Sequence, residues 1–160
     1  GTEHMAAYAK PGAEGQALYV LPGVQDRPLP YLGYAPGAYL GAVTDWMLRQ
    51  ARSPVHLDRV YETDMAEGLK AMALEGDGLA FLPSSAVSKE VQAGLLVKAS
   101  GAADVLPEAA MQIRAYRAKT GGRSAAKRSL QALWTHLQTA LPQQGHAQHP
   151  GRAQSDPGTP

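Results

Sequence analysis

TDMAEGLKAMALEGDGLAFLPSSAVSKEVQAGLLV, residues Thr63 to Val97, is the one stretch in which helix, turn, strand, helix and strand signals follow one another without interruption. Asp64 is placed to cap a helix whose third residue is Glu67, an arrangement typically worth ~1 kcal/mol. Met65, Leu69, Met72 and Ala73 recur at helical spacing and predict a single apolar face. Gly76-Asp77-Gly78 stops the helix, because its glycines supply the backbone freedom that a sharp reversal needs. Leu79-Ala80-Phe81-Leu82 is a short apolar run between that turn and a proline, the pattern of a strand buried on both faces. Pro83 suits the first turn of a second helix, with Ser84 and Ser85 beside it and Val87 and Val91 on its inner face. Gly94 closes that helix, and Leu95-Leu96-Val97 reads as another short strand. The unit is α/β.

GLKAMALEGDGLAFLPSSAVSKEVQAGLLV, Gly68 to Val97, resembles the effector-binding domain of LysR-type transcriptional regulators. In that family a glycine turn, a short apolar strand ending in Leu-Pro, a helix and a Gly-Leu-Leu/Val strand occur in this order. LPYLGYAPGAYLG upstream and MQIRAYRA downstream, followed by a terminal helix, fit the same pattern, so the resemblance runs from Ala17 to Leu141. Within the family the chain looks most similar to the branch that includes the hypochlorite-responsive regulator.

The resemblance implies a periplasmic-binding-protein type 2-like fold of two α/β subdomains with a small-molecule effector between them. It divides the chain into an N-terminal segment (1–16, a strand or an appended remnant), a second regulatory subdomain (17–109), the return strand and terminal helix of an incomplete first subdomain (110–141), and a tail (142–160). The winged helix-turn-helix and the opening half of the first subdomain are expected to be missing. DNA would then be reached only through a winged-helix domain outside this chain. A homo-oligomer that senses a small molecule or an oxidant in the cytoplasm is the implied assembly. A type 2 periplasmic-like solute-binding module, similar in fold, is the alternative; a hydrolase comes third.

The rest of the chain repeats the strand-turn-helix theme. Ala17-Leu18-Tyr19-Val20-Leu21 reads as a strand, and Tyr31-Leu32-Gly33-Tyr34 as a second, broken by Ala35-Pro36-Gly37. From Ala38 to about Arg52, Leu40, Val43, Met47 and Ala51 keep helical spacing, with Trp46 alongside. Val55 to Glu62 reads as a strand feeding the Asp64 helix. Met111, Ile113 and Ala115 alternate with Gln112 and Arg114, the pattern of a strand with one exposed face. Gly121-Gly122 follow, and Leu130, Leu133, Trp134, Leu137 and Leu141 space a final amphipathic helix. From Pro142 onward no apolar periodicity is present, so disorder is expected.

Alternating elements of these lengths predict an open, mainly parallel sheet with helices on both faces. Ligands of such sheets settle beyond the carboxyl ends of the strands, where helix N-termini offer free N–H groups. The three strand-to-helix junctions are Tyr34 to Tyr39, Glu62 to Met65 and Leu82 to Ser85. The candidate effector-binding residues are therefore Tyr34, Tyr39, Thr63, Asp64, Pro83 and Ser84, although Thr63, Asp64 and the serines also read as caps and the tyrosines as packing.

Composition narrows the chemistry. The 160 residues are 44% hydrophobic and 18% charged, and no apolar stretch approaches the ~20 residues of a membrane helix. No charged-then-apolar signal segment opens the chain, and neither a membrane partner nor a cofactor is expected. Without cysteine there is no disulfide, thiolate metal site or cysteine nucleophile, leaving five methionines for reversible sulfur chemistry. Met65, Met72 and Met111 read as core filling. The sharper reading, strengthened by the resemblance, makes Met65, near a helix start, an oxidation sensor.

Residues 1–108 carry 8 Lys/Arg against 13 Asp/Glu, whereas 109–160 carry 7 against 1. The basic cluster of Arg114, Arg117, Lys119, Arg123, Lys127 and Arg128 reads as a solvated helix face, with nucleic-acid contact the weaker reading because no recognition-helix or aromatic-rich pattern accompanies it. Lys119-Thr120-Gly121 and Ser124-x-x-Lys127 match two serine β-lactamase signatures in the wrong order and spacing, a chance match. His146-x-x-His149 lies in the tail without carboxylates to complete a metal site. No nucleophile elbow surrounds Ser84 and Ser85, so no enzyme is expected.

Overall fold

The structure, a computed structural model, describes residues 1–101, 105–117 and 125–140, with side chains from 128 onward in the last stretch. The Lys119-Thr120-Gly121 motif, Gly121-Gly122, Ser124, Leu141, the histidine pair, the tail, and Lys119, Arg123 and the Lys127 side chain of the basic cluster lie outside it. In chain order the elements are β1 (Thr2–Ala9), β2 (Leu29–Tyr34), α1 (Tyr39–Arg49), β3 (Leu57–Thr63), α2 (Ala66–Glu75), β4 (Leu79–Pro83), α3 (Ser84–Gln92), β5 (Val97–Lys98), β6 (Ala109–Gln112) and α4 (Ala125–Ala140). Thr2–Ile113 forms one compact unit, and the segment from Arg114 on belongs to a second with Gly1.

The sheet lies within the first unit and runs β3-β2-β4-β1-β5, with β6 also paired to β1. β2 is parallel to β3 and β4, while β1 is antiparallel to β4, β5 and β6. Among the described strands β1 alone therefore runs against the rest, and the sheet is mixed. The crossover from β2 to β3 moves toward one edge and those from β3 to β4 and from β4 to β5 move back. Right-handed connections then place α1 on one face and α2 with α3 on the other. Lys70 on α2 confirms that pairing: it donates to the Ala86 carbonyl of α3 at 3.0 Å and forms ion pairs with Glu67 and Glu90.

The apolar run of β4 is buried throughout, with Leu79, Ala80, Phe81 and Leu82 fully enclosed. Leu69 and Ala73 of α2 and Leu32 of β2 join it in the core. Each buried leucine or phenylalanine contributes roughly 1.5–3 kcal/mol relative to exposure. Tyr31 meets the Phe81 ring edge-on, with centroids 5.9 Å apart.

Several local expectations give way to tertiary forces. Of the two readings of the N-terminal segment, the strand is the one observed: Thr2–Ala9 is β1, paired on both sides, with Met5 and Ala9 fully buried. Its alanines carry little intrinsic strand preference, so its neighbours impose the strand. Ala17–Leu21 is not a strand. Ala17 makes an isolated bridge to Pro11, and the segment is tethered by the Leu18 and Leu21 N–H groups, which donate to the Lys10 and Ala99 carbonyls.

Asp64 does not cap α2. The N-cap is Met65, without a side-chain cap, and Thr63 Oγ1 instead accepts the Met65 N–H at 3.3 Å. Pro83 ends β4 and serves as the N-cap of α3 rather than sitting inside its first turn. Val91 is exposed on α3, leaving Val87 as that helix's buried residue. Gly76 ends α2 as expected, in the left-handed region at φ 94°.

In the second unit, α4 is the expected terminal helix. Leu130 and Leu133 are exposed on it, and the Arg117 guanidinium lies 4.8 Å from the Trp134 ring centroid while donating to Gln131.

Candidate effector site

The parallel ladders bring the three strand-to-helix junctions to one end of the sheet. Tyr34 pairs with Thr63, and the Ala35 N–H donates to the Thr63 carbonyl at 2.9 Å, so the ends of β2 and β3 lie side by side. Tyr31 and Leu32 pair with Leu79 and Ala80, which carries the same alignment into β4. Because β1 is antiparallel, its beginning reaches this end too, with Met5 opposite Pro83.

Tyr34 is only 3% exposed, and its hydroxyl donates to the Phe81 carbonyl at 3.0 Å. Packing thus accounts for most of this side chain, yet Tyr34 also lines a cleft of about 510 Å³ with Tyr31, Tyr39, Asp45 and Arg59. Tyr39, in the first turn of α1, is 72% exposed at that cleft. Gly41 permits the close approach of α1, since a Cβ there would stand 3.0 Å from the Tyr34 Cβ. The Arg59 guanidinium lies 5.6 Å from the Tyr31 ring centroid and donates to Glu62 at 2.9 Å. Burial pushes the Tyr31 hydroxyl up to about 12, against the opposing pull of Arg59, and burial together with neighbouring Tyr31 raises Tyr34 as well. Both phenols are neutral donors at ordinary pH.

Thr63 is half-buried and holds the α2 entry, whereas Asp64 is exposed beside it. Pro83 and Ser84 are half-buried, and the Ser84 and Tyr8 hydroxyls are 3.4 Å apart. The structure therefore gathers Tyr34, Thr63, Asp64, Pro83 and Ser84 at one sheet end and sets Tyr39 in the cleft at its β2–α1 corner.

Sequence reasoning missed three contributors. Arg59 sits within a strand, and it is set beside Tyr31 just before a bulge, where the pairing passes from Arg59 to Tyr61 and breaks the alternation that sequence reading relies on. Tyr31 reads only as the first residue of a short strand. Glu3 lies in a segment without fold signals, yet its carboxylate accepts the Ser85 N–H at 3.3 Å at the start of α3. Partial burial opposes its charge, but hydrogen bonds from the Ser85 side chain and from the His4, Ser85 and Ser84 backbone outweigh that cost and hold its carboxyl below the usual range. Among the described residues no group of three or more His, Cys, Asp or Glu is placed to hold a metal, and no helix is long and apolar enough to cross a membrane.

Comparison with known proteins agrees with this architecture. Residues 1–142 match the LysR substrate binding domain. The chain is 33% identical over 123 residues to the HTH domain-truncated transcriptional regulator QseD of Escherichia coli O157:H7, covering 77% of this chain and 46% of that protein. It is 32% identical over 123 residues to the HTH-type transcriptional regulator YjiE of Escherichia coli K12, covering 77% and 37% respectively. The chain thus spans less than half the length of these curated relatives, both of which are transcriptional regulators. The regulatory domain of HypT from Salmonella typhimurium shares the fold, with a TM-score of 0.68 at 24% identity over 88% of this chain and 63% of that one. The mixed sheet, its convergent junctions and the match over nearly the whole chain lead to one assignment: the chain belongs to the LysR substrate-binding domain family.

Proposed function

We propose that this chain is the effector-sensing and oligomer-forming portion of a LysR-type transcription regulator, acting in the cytoplasm without catalysis of its own. The observation that carries the reading is the convergence of Tyr34, Thr63, Pro83 and Ser84 at one sheet end, with Tyr39 exposed in the adjoining 510 Å³ cleft. Ligands of open α/β sheets settle at this position. We read the sheet unit as the second regulatory subdomain, with β6 and α4 as the return into the first. DNA contact belongs to a winged helix in longer regulators, and the name of one relative records the loss of that domain. The sensing step is a population shift between two oligomer arrangements, driven by preferential binding of the effector to one of them.

A thermal-shift screen of small metabolites against the chain, followed by titration calorimetry of hits, tests the reading. Tyr39→Ala and Arg59→Ala should weaken an effector while leaving the melting temperature of the free chain nearly unchanged, because both side chains are partly or largely exposed. Hits that bind both variants as tightly as the parent would overturn the placement of the site.

A further inference from the structure

A second, smaller cavity lies away from the strand ends, and its chemistry differs. It measures about 140 Å³ and is lined mainly by Ala6, Phe81, Met47, Leu21, Val105 and Leu106, with Lys98, Ser100 and Glu108 also on its wall. Met47 is eight residues beyond Tyr39 on α1, roughly 12 Å along the helix axis, so the cavity belongs to the body of the unit rather than to the candidate effector cleft. Phe81 and Met47 are almost completely buried, and Leu21, Val105 and Ala6 nearly so. The wall is held in place by backbone hydrogen bonds. The Leu21 N–H donates to the Ala99 carbonyl, and the Arg52 N–H donates to the Val105 carbonyl.

Lys98 and Glu108, each about half exposed, form an ion pair with each other, so the charges on the wall are matched. An ionised guest would have to leave water for a chamber lined mainly by apolar side chains, without a new counter-charge, which is unfavourable. A neutral apolar guest meets no such cost. The volume alone is close to that of protein cavities that take up benzene or xenon, on the order of 150 Å³.

We propose that this cavity is a binding site for a neutral monocyclic aromatic molecule, held between the Met47 thioether and the Phe81 ring and screened from solvent by the Lys98–Glu108 pair. The favourable approach of sulfur to an aromatic edge and of one ring to another gives such a guest an advantage over an aliphatic one. The site is independent of the effector cleft and stands whether or not that cleft is correctly placed.

The test uses the whole chain carrying ¹³C-methyl methionine, titrated with benzene and followed by NMR. The expected result is a saturable ring-current shift of the Met47 methyl resonance, with Met65 unmoved, and intermolecular contacts from benzene to the Phe81 ring. Leu106→Trp, which fills the chamber from its half-buried side, should abolish the Met47 shift, and Tyr39→Ala should leave it intact. No saturable Met47 shift in the parent chain up to the aqueous solubility of benzene would overturn the proposal. So would an equal shift in a folded Leu106→Trp variant.

Discussion

The Glu3 carboxylate accepts the Ser85 N–H at 3.3 Å, joining the start of the first strand to the first turn of a helix more than eighty residues later. The contact supplies α3 with the capping acceptor that its own N-cap, Pro83, lacks. It also places a negative charge at the positive end of the helix dipole, where such charges are stabilising.

Glu3→Gln should therefore lower stability by ~0.5 kcal/mol at neutral pH. Because folding holds the Glu3 carboxyl below its ordinary 4.5, its contribution is present above that value and fades as pH falls through the lowered folded value. Denaturant melts of parent and variant should differ at pH 7 and converge under strongly acidic conditions. A difference that persists unchanged in acid would show that charge is not the cause.

The two buried phenols make the opposite prediction at high pH. Tyr31 is pushed up to about 12 by burial, and burial raises Tyr34 as well, from an ordinary value of 10.0. Their neutral forms support the fold fully below pH 10.0, and that support is lost as pH climbs through the raised values. Tyrosinate absorbance during alkaline titration should show late ionisation of the Tyr31 and Tyr34 pair, coinciding with unfolding. Tyr34→Phe should cost about 1 kcal/mol by removing the donor to the Phe81 carbonyl. A variant as stable as the parent would mean that the hydrogen bond contributes nothing net.

Gly76 supplies a prediction that burial does not enter. It sits at φ 94°, where an L side chain collides with its own backbone, and it ends α2 immediately before the core strand. Gly76→Ala should destabilise the chain by roughly 1–2 kcal/mol, read from the shift in denaturant midpoint with an unchanged slope. A neutral substitution would require α2 to end differently.

The stretch from Thr63 to Val97 was legible because local and global preferences agree there. Gly76 stops a helix that must stop, and Leu79–Leu82 is apolar where both faces are covered. Asp64 misled because α2 starts one residue later, at a Met65 N-cap without a side-chain acceptor, while the Thr63 hydroxyl accepts the Met65 N–H. β1 was ambiguous for a different reason: an alanine-rich segment becomes a central strand only through partners 72 to 110 residues distant, which periodicity does not register. The candidate site divides in the same way. Tyr34, Thr63, Pro83 and Ser84 follow from the strand-to-helix rule, whereas Arg59 lines the adjoining cleft from the middle of β3 and Glu3 reaches the start of α3 from the distant first strand.

Exposure ranks the methionines as oxidation targets, and this bears directly on Met65. It is 62% exposed at the α2 N-cap, whereas Met5 and Met47 are almost fully buried and Met72 and Met111 are half-buried. Oxidation of methionine adds a polar oxygen to an apolar side chain, and at an exposed position it proceeds without unfolding. Under limiting hypochlorite, peptide mass mapping should find Met65 sulfoxide first, then Met72 and Met111, with Met5 and Met47 protected until the chain unfolds. If Met65 is a sensor, its sulfoxide must change the α2 entry that Thr63 Oγ1 holds through the Met65 N–H. Light scattering before and after oxidation should then show a shift in oligomer mass that Met65→Leu abolishes. A mass that stays constant while Met65 is fully oxidised would reduce this residue to an exposed side chain at a helix start.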